Sequence, residues 1–217
     1  MIDKGDPLFT NVHKILEQKN SDNLDKVYDL ALSDRNFLKE LMDGLASDNE
    51  TYRYNCYKVI QKMSEEAPLK LYSEWDFFHE LMKSSNAFHQ MMGVTILANL
   101  TVVDSDEKFD EITDEYFSLL DGRSLVTARY VAIGAGTIAQ VKPSLQEVIT
   151  KWLLKSEKTH HKNKELIVGD AIESLDAYYS EIKNQEKIIT FVKRHLKSDS
   201  PKTVKRAKQF LDKHTNI

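Results

Sequence analysis

Apolar residues recur at spacings of three and four along most of the chain, which is the period of an α-helix and not of a strand. The first stripes are Leu8, Val12, Ile15 and Leu16; Leu24, Val27, Leu30 and Ala31; and Phe37, Leu38, Leu41 and Leu45. Continued to the end of the chain, the pattern predicts roughly twelve helices, over 7–18, 23–32, 35–46, 50–66, 69–83, 87–101, 107–120, 124–140, 143–156, 163–180, 183–197 and 201–214.

The breaks between the stripes carry the chemistry of helix starts. Side-chain oxygens in three polar segments can accept hydrogen bonds from the first amides of the next helix; these are Ser47-Asp48-Asn49, Ser84-Ser85-Asn86 and Ser198-Asp199-Ser200. Pro7, Pro143 and Pro201 are expected at first helical positions, where a missing N–H is tolerated. Pro68 is expected to separate two helices.

These helix starts repeat along the chain. The segment 47–56 aligns with 84–93 and again with 121–130, and less regular copies begin near His161 and at Ser198, with a short early copy at Ser21. An apolar ladder follows each of the later starts; the ladders are Tyr52, Cys56, Val59, Ile60 and Met63; Gly93, Ile96, Leu97 and Leu100; Val126, Tyr130 and Ile133; Ile167, Ala171, Leu175 and Tyr178; and Val204, Ala207, Phe210 and Leu211.

A helix pair that recurs every 36–41 residues cannot bury its apolar face alone, whereas stacked pairs bury a continuous core. The repeat therefore predicts an all-α fold, an α-α superhelix of about six helix pairs. We expect one repeat domain over 1–217, with a capping helix in 1–20 and another in 198–217.

The residues of 47–60 resemble the loop and second helix of a HEAT repeat. Asp48, Tyr52, Arg53 and Cys56 stand where that family has an acidic loop, an opening apolar residue, an Arg and a small residue. The second and third copies have Gln90 and Thr127 in place of the Arg, so the Arg–Asp ladder typical of the family is mostly absent. Armadillo-like adaptors are similar in the same general way.

The resemblance implies that the second helices line a concave face that binds partners. Residues on these helices that lie off the apolar ladders include types enriched at protein interfaces; the candidates are Arg53, Tyr57, Gln90, Asn99 and Arg129. The function expected from this resemblance is that of a non-catalytic scaffold or adaptor, holding a protein partner or peptide segment on the concave face.

Composition agrees with a helical repeat protein. Only 7 Gly and 4 Pro occur in 217 residues, too few for the turns of an all-β protein. A hydrophobic share of 41% excludes wholesale disorder. No apolar run is long enough to span a membrane, and Met1 to Asp6 lack an apolar signal core, so a cytoplasmic location is expected.

The net charge of −4 is unevenly distributed. Residues 1–150 hold 15 Lys and Arg against 25 Asp and Glu, whereas 151–217 hold 15 against 9. The alternative function is therefore that of a nucleic-acid binder. A DNA-repair role is a second form of this alternative, because alkylation-repair glycosylases are built from similar helical repeats and use Trp and Asp residues, which Trp75 and Asp76 resemble. Lys205 and Arg206 would contact phosphates in that case, although a polar terminal capping helix explains them as well.

Four chemical motifs have simpler explanations than catalysis or metal binding. Gly134-Ala135-Gly136 lies inside a helical run and indicates close helix packing, not a dinucleotide site. The acidic segment 104–115 lacks the Gly of a calcium loop and suits a helix N-terminus. His160 and His161 do not share a helix face, and Cys56 lies on an apolar ladder. The sequence predicts no catalytic residue, metal or cofactor.

Overall fold

The computed structural model describes residues 7–19 and 24–215, with side chains from Val12 onward, and within these ranges it contains helices and no strand. The α-helices are α1, Pro7–Glu17; α2, Leu24–Ser33; α3, Arg35–Gly44; α4, Glu50–Glu66; α5, Leu69–Tyr72; α6, Trp75–Met82; α7, Ala87–Leu100; α8, Lys108–Ser118; α9, Leu125–Val141; α10, Gln146–Lys155; α11, Lys164–Tyr178; α12, Gln185–Arg194; and α13, Pro201–His214. Short 3₁₀ turns are Thr101–Val103, Leu119–Asp121, Pro143–Leu145, Ser156–Lys158, Tyr179–Glu181 and His195–Lys197. The all-α class is confirmed.

The described helices number thirteen and not twelve, because the single helix predicted over 69–83 is divided into α5 and α6. At the division, the amide of Glu74 bonds the carbonyl of Leu71, and the amide of Phe77 bonds that of Glu74. These bonds span three residues instead of four, which tightens the chain into a turn. Apolar periodicity continues through the turn, so the sequence pattern alone does not reveal it.

The chain divides into two compact units, Met1–Phe77 and Phe78–Ile217, with the boundary inside α6. In the first unit, α4 packs against α1, α2, α3 and α5. In the second unit, the long helices α7, α9, α11 and α13 pack on one another in succession. The short copy expected at Ser21 lies outside the described residues.

The predicted helix starts have the expected capping geometry. The Asn49 side chain accepts from the amides of Thr51 and Tyr52, and Asn86 accepts in the same way from Phe88 and His89. Two residues upstream of each cap, the hydroxyl of a serine accepts from the amide of the capping residue; the pairs are Ser47 with Asn49, Ser84 with Asn86, and Ser198 with Ser200. The sequence repeat is thus a repeat of local structure.

Contacts between helices have the same period as the sequence. Many side chains bond a residue 36–41 positions away, within one unit or the other; examples are Asn55 with Leu16, Lys62 with Asp25, His79 with Glu115, Trp152 with Asp114, Arg194 with Glu157, and Lys213 with Asp176. Equivalent positions of successive repeats therefore lie side by side, as stacking of similar helix pairs requires.

Small residues let the long helices of the second unit approach closely. A Cβ on Gly134 of α9 would lie 2.5 Å from the hydroxyl of Tyr116 and 2.8 Å from the Cβ of Ala98 on α7. A Cβ on Gly136 would lie 3.2 Å from the Cα of Ser174 on α11. Both glycines are buried inside α9, which begins nine residues before Gly134. The packing interpretation of this motif is confirmed.

The acidic segment and the single cysteine also have structural roles. Asp104 is buried, and its carboxylate accepts from the amides of Lys108 and Phe109 at the start of α8 while pairing with Lys142. Cys56 is fully buried, and burial raises the pKa of its thiol to about 12. Among the described residues, no group of three metal-ligating side chains exists and no helix is long and apolar enough to cross a membrane.

Replacing Gly134 with valine is expected to lower the free energy of unfolding by about 1–3 kcal/mol, because the new side chain overlaps Tyr116 and Ala98. Thr137→Val, at a half-exposed position of the same helix, is the control and should change it by less than about 0.5 kcal/mol. Urea unfolding followed by helical circular dichroism measures both. Equal effects of the two substitutions would contradict the close packing at Gly134.

The native Cys56 thiol is expected to be inert to Ellman's reagent at about pH 8. With its raised pKa, only on the order of one thiol in ten thousand is ionised there, against about a quarter at the ordinary pKa near 8.5. Because the chain has one cysteine, the absorbance change reports this thiol alone. Unfolding in urea should restore rapid reaction; similar rates in the two states would show that Cys56 is accessible.

Candidate binding surface

One exposed surface of the second unit, here called the α9–α13 face, extends across α9, α11 and α13. It is defined by Val126, Arg129, Ile133 and Gln140 on α9, Glu173 and Ala177 on α11, and Arg206 on α13, and the buried Asp170 of α11 lies beneath it. Side-chain contacts join the three helices: Arg129 and Arg206 both bond Asp170, and the amide of Gln140 donates to the carbonyl of Ala177.

The centre of this face is a buried carboxylate between two guanidinium groups. The Asp170 side chain is fully buried and accepts from Nε of Arg129 at 2.7 Å and from Nη1 of Arg206 at 2.5 Å. Arg206 also pairs with Glu173, whose side chain is 62% exposed. The hydrogen bond to Asp170 raises the pKa of Arg129. The four charges balance, and the Arg–Asp chain links three successive repeats.

The Arg–Asp–Arg chain is the feature that sequence reasoning missed. The sequence was expected to lack most of an Arg–Asp ladder because Gln90 and Thr127 replace the Arg at the aligned positions. Arg129 lies two residues later in its helix than Thr127, and its acidic partner Asp170 lies inside α11, not in a loop. An acidic residue within an otherwise apolar ladder, such as Asp170 between Ile167 and Ala171, is the signal that could have found it.

Exposed aliphatic side chains flank the charged centre. Val126 is 52% exposed and Ile133, two helical turns later, is 46% exposed, although both were predicted to lie on a buried ladder. That part of the prediction is wrong. The buried side of α9 is formed mainly by small residues, namely Thr127, Ala128, Val131, Ala132, Ala135 and Ala139. Because apolar residues surround α9 on almost every side, its periodicity does not identify the buried face.

The candidate binding residues occupy different environments. In the first unit, Arg53 donates to the carbonyl of Ser47 at 2.6 Å, and Tyr57 is a core residue, 4% exposed, because it faces inward from α4. In the second unit, Gln90 donates to the carbonyl of Met82, and Asn99 is half-buried on α7. The structure brings together Arg129 and Arg206, while Lys205 is an exposed residue of α13.

Comparison with known proteins adds information on the fold. No family model and no curated protein matches the chain. Among solved structures, the chain is similar to one titled "Crystal Structure of Engineered Protein", with a TM-score of 0.54 and 15% identity over 93% of this chain and 95% of that one. This likeness supports an all-helical fold of packed helices and carries no information on activity.

Replacing Asp170 with asparagine is expected to lower the free energy of unfolding by about 3–5 kcal/mol, because two guanidinium groups lose the carboxylate buried between them. Glu173→Gln removes one acid from the exposed end of the same network and should cost less than about 1 kcal/mol. Urea unfolding of the two variants measures both effects. If they are equally stable, the buried carboxylate does not hold the three helices together.

Proposed function

We propose that this chain is a non-catalytic, HEAT-like binding module that holds a segment of a partner protein against the α9–α13 face. The observation that carries this proposal is the exposure of Val126 and Ile133 on a helix that is buried on its other sides. Aliphatic side chains that share one exposed helix face, with polar groups beside them, are typical of protein interaction sites. Such a face suits a segment with aliphatic side chains.

The charge of the face also supports a protein partner. Arg129 and Arg206 are balanced by Asp170 and Glu173, so the centre of the face offers little net attraction to phosphates. Arg129 keeps about a third of its side chain exposed, enough to donate a hydrogen bond to a carbonyl or carboxylate of a partner at one edge. Specific contacts of this kind, with apolar burial beside them, are typical of protein interfaces.

The nucleic-acid alternative has weaker support. Trp75 is buried and 2% exposed, so it is not placed to stack on a base. The indole N–H of Trp152 donates to Asp114, and the amine of Lys155 lies 4.8 Å from the centre of its ring. Two cationic side chains of α13 are paired with acids of α11, namely Arg206 and Lys213. These last two ion pairs hold α13 against α11.

Ile133→Glu is expected to weaken partner binding by about tenfold or more, because a carboxylate replaces an aliphatic contact beside the charged centre of the interface. Leu196→Glu is the matched control, since Leu196 is an exposed aliphatic residue on the 3₁₀ turn after α12. A partner captured from the source cells is identified and purified, and its affinity for each protein is then measured by calorimetry.

The two variants keep their folds in this design, because neither residue is part of the core. Arg129→Glu is less suitable, since it also places a like charge against the buried Asp170. If a purified partner binds Ile133→Glu as tightly as the parent chain, the α9–α13 face is not its binding surface. If DNA or RNA binds in a strongly salt-dependent way while no protein partner is found, the nucleic-acid alternative replaces this proposal.

A further inference from the structure

A second surface of the Phe78–Ile217 unit, separate from the α9–α13 face, is a groove between α10 and α12. Two adjoining cavities of about 580 and 420 Å³ form it, and they share Leu154, Asn184 and Lys187 in their walls. The groove begins at Pro143, before α10, and reaches Arg194 at the end of α12. None of its lining residues belongs to α9, α11 or α13, so the two surfaces are independent.

Six basic side chains line this groove, and four of them form no close ion pair with a described residue. They are Lys151, Lys155, Lys158, Lys183, Lys187 and Arg194. Lys151 pairs with Glu147, and Arg194 pairs with Glu157. Among the described residues, Lys155, Lys158, Lys183 and Lys187 make no ion pair within 4.0 Å, although the charges of Lys183 and Lys187 also act on Glu147. Glu181 and Glu186 are the other acids in the walls, so six cations face four carboxylates. The groove therefore attracts anionic groups.

The remaining lining residues distinguish between kinds of anion. Leu154 and Ile182 add aliphatic surface to the groove, which a free phosphate would not use. Glu147 and Glu186 interrupt the basic residues on both walls, so a continuous phosphodiester backbone would meet like charge at intervals. A peptide can place carboxylates opposite the lysines and aliphatic side chains opposite Leu154.

We propose that the α10–α12 groove binds an acidic peptide segment that carries Asp or Glu together with aliphatic side chains. The basic residues of the C-terminal third then serve protein recognition at this groove and not contact with nucleic acid. This inference goes beyond the proposed function, because it assigns a second surface and the chemistry of its ligand. It does not depend on whether the α9–α13 face binds a partner.

The test selects ligands from a phage-displayed library of random peptides of about 12 residues. The full chain, the groove variant Lys158→Glu/Lys187→Glu and the control Lys202→Glu/Lys208→Glu are immobilised in parallel. All four lysines are exposed, and both variants change the net charge equally. We expect the parent chain and the control to enrich peptides rich in Asp and Glu with aliphatic residues, and the groove variant to lose that enrichment.

The most enriched peptide is then labelled, and its affinity is measured by fluorescence anisotropy. The groove variant should bind about tenfold or more weakly than the parent chain, whereas the control should stay within about twofold, and added salt should weaken binding. Helical circular dichroism verifies that both variants are folded. An oligothymidine of similar length is titrated under the same conditions.

Four results would overturn the proposal. In the first, the parent chain selects no acidic peptides, and in the second, the groove variant still selects them. In the third, both variants lose affinity equally, and in the fourth, the parent chain binds oligothymidine more tightly than the peptide. The third would show that net charge matters and the groove does not, and the last would assign the basic residues to nucleic acid.

Discussion

The structure of the Phe78–Ile217 unit depends on how closely its long helices approach one another. A single helix pair cannot bury its apolar face, so each long helix must use its neighbour in the next repeat. A side chain at Gly134 would overlap Tyr116 and Ala98, and one at Gly136 would be tightly packed against Ser174. Once α9 lies this close to α7 and α11, the packing determines which residues of α9 are buried and which are exposed.

That close approach explains why aliphatic residues reach the surface. The buried side of α9 holds four alanines and two glycines together with Val131 and Ile138, whereas Val126 and Ile133 are left on the exposed side. The same approach brings Arg129, Asp170 and Arg206 into one chain across three helices. A buried carboxylate is tolerated there because two guanidinium groups satisfy it. The helix packing that stabilises the unit thus also places the residues of the α9–α13 face next to one another.

The distribution of charge has a similar tertiary origin. The C-terminal third is basic as a whole, yet Arg206 and Lys213 pair with acids of α11, and Arg194 pairs with Glu157. Four lysines that form no close ion pair within the described part of the chain line the groove between α10 and α12, together with Leu154 and Ile182. The excess of basic residues is visible in the composition, whereas its concentration in a groove depends on which acids lie across each helix pair.

The sequence by itself determined the helical class, the repeat and the helix starts. Each of these is a local property: the apolar period requires a helix, and Asn49, Asn86 and Ser200 cap the amides next to them. It also identified the packing role of Gly134, which lies inside an apolar helix, and the burial of Cys56, which lies on an apolar ladder of α4. It missed the turn at Ser73 and Glu74 because the apolar period continues through it.

Only the tertiary structure decided which side of each helix is exposed and which charges meet. In α9 the apolar residues surround the helix, so the neighbouring helices and not the periodicity select the buried side. Tyr57 on α4 was expected at a binding face, and the packing of the first unit makes it a core residue. Arg129 and Asp170 are 41 residues apart, and no local rule pairs them. Both outcomes depend on the rotation and spacing of helices in successive repeats, which is a property of the packed structure and not of any one segment.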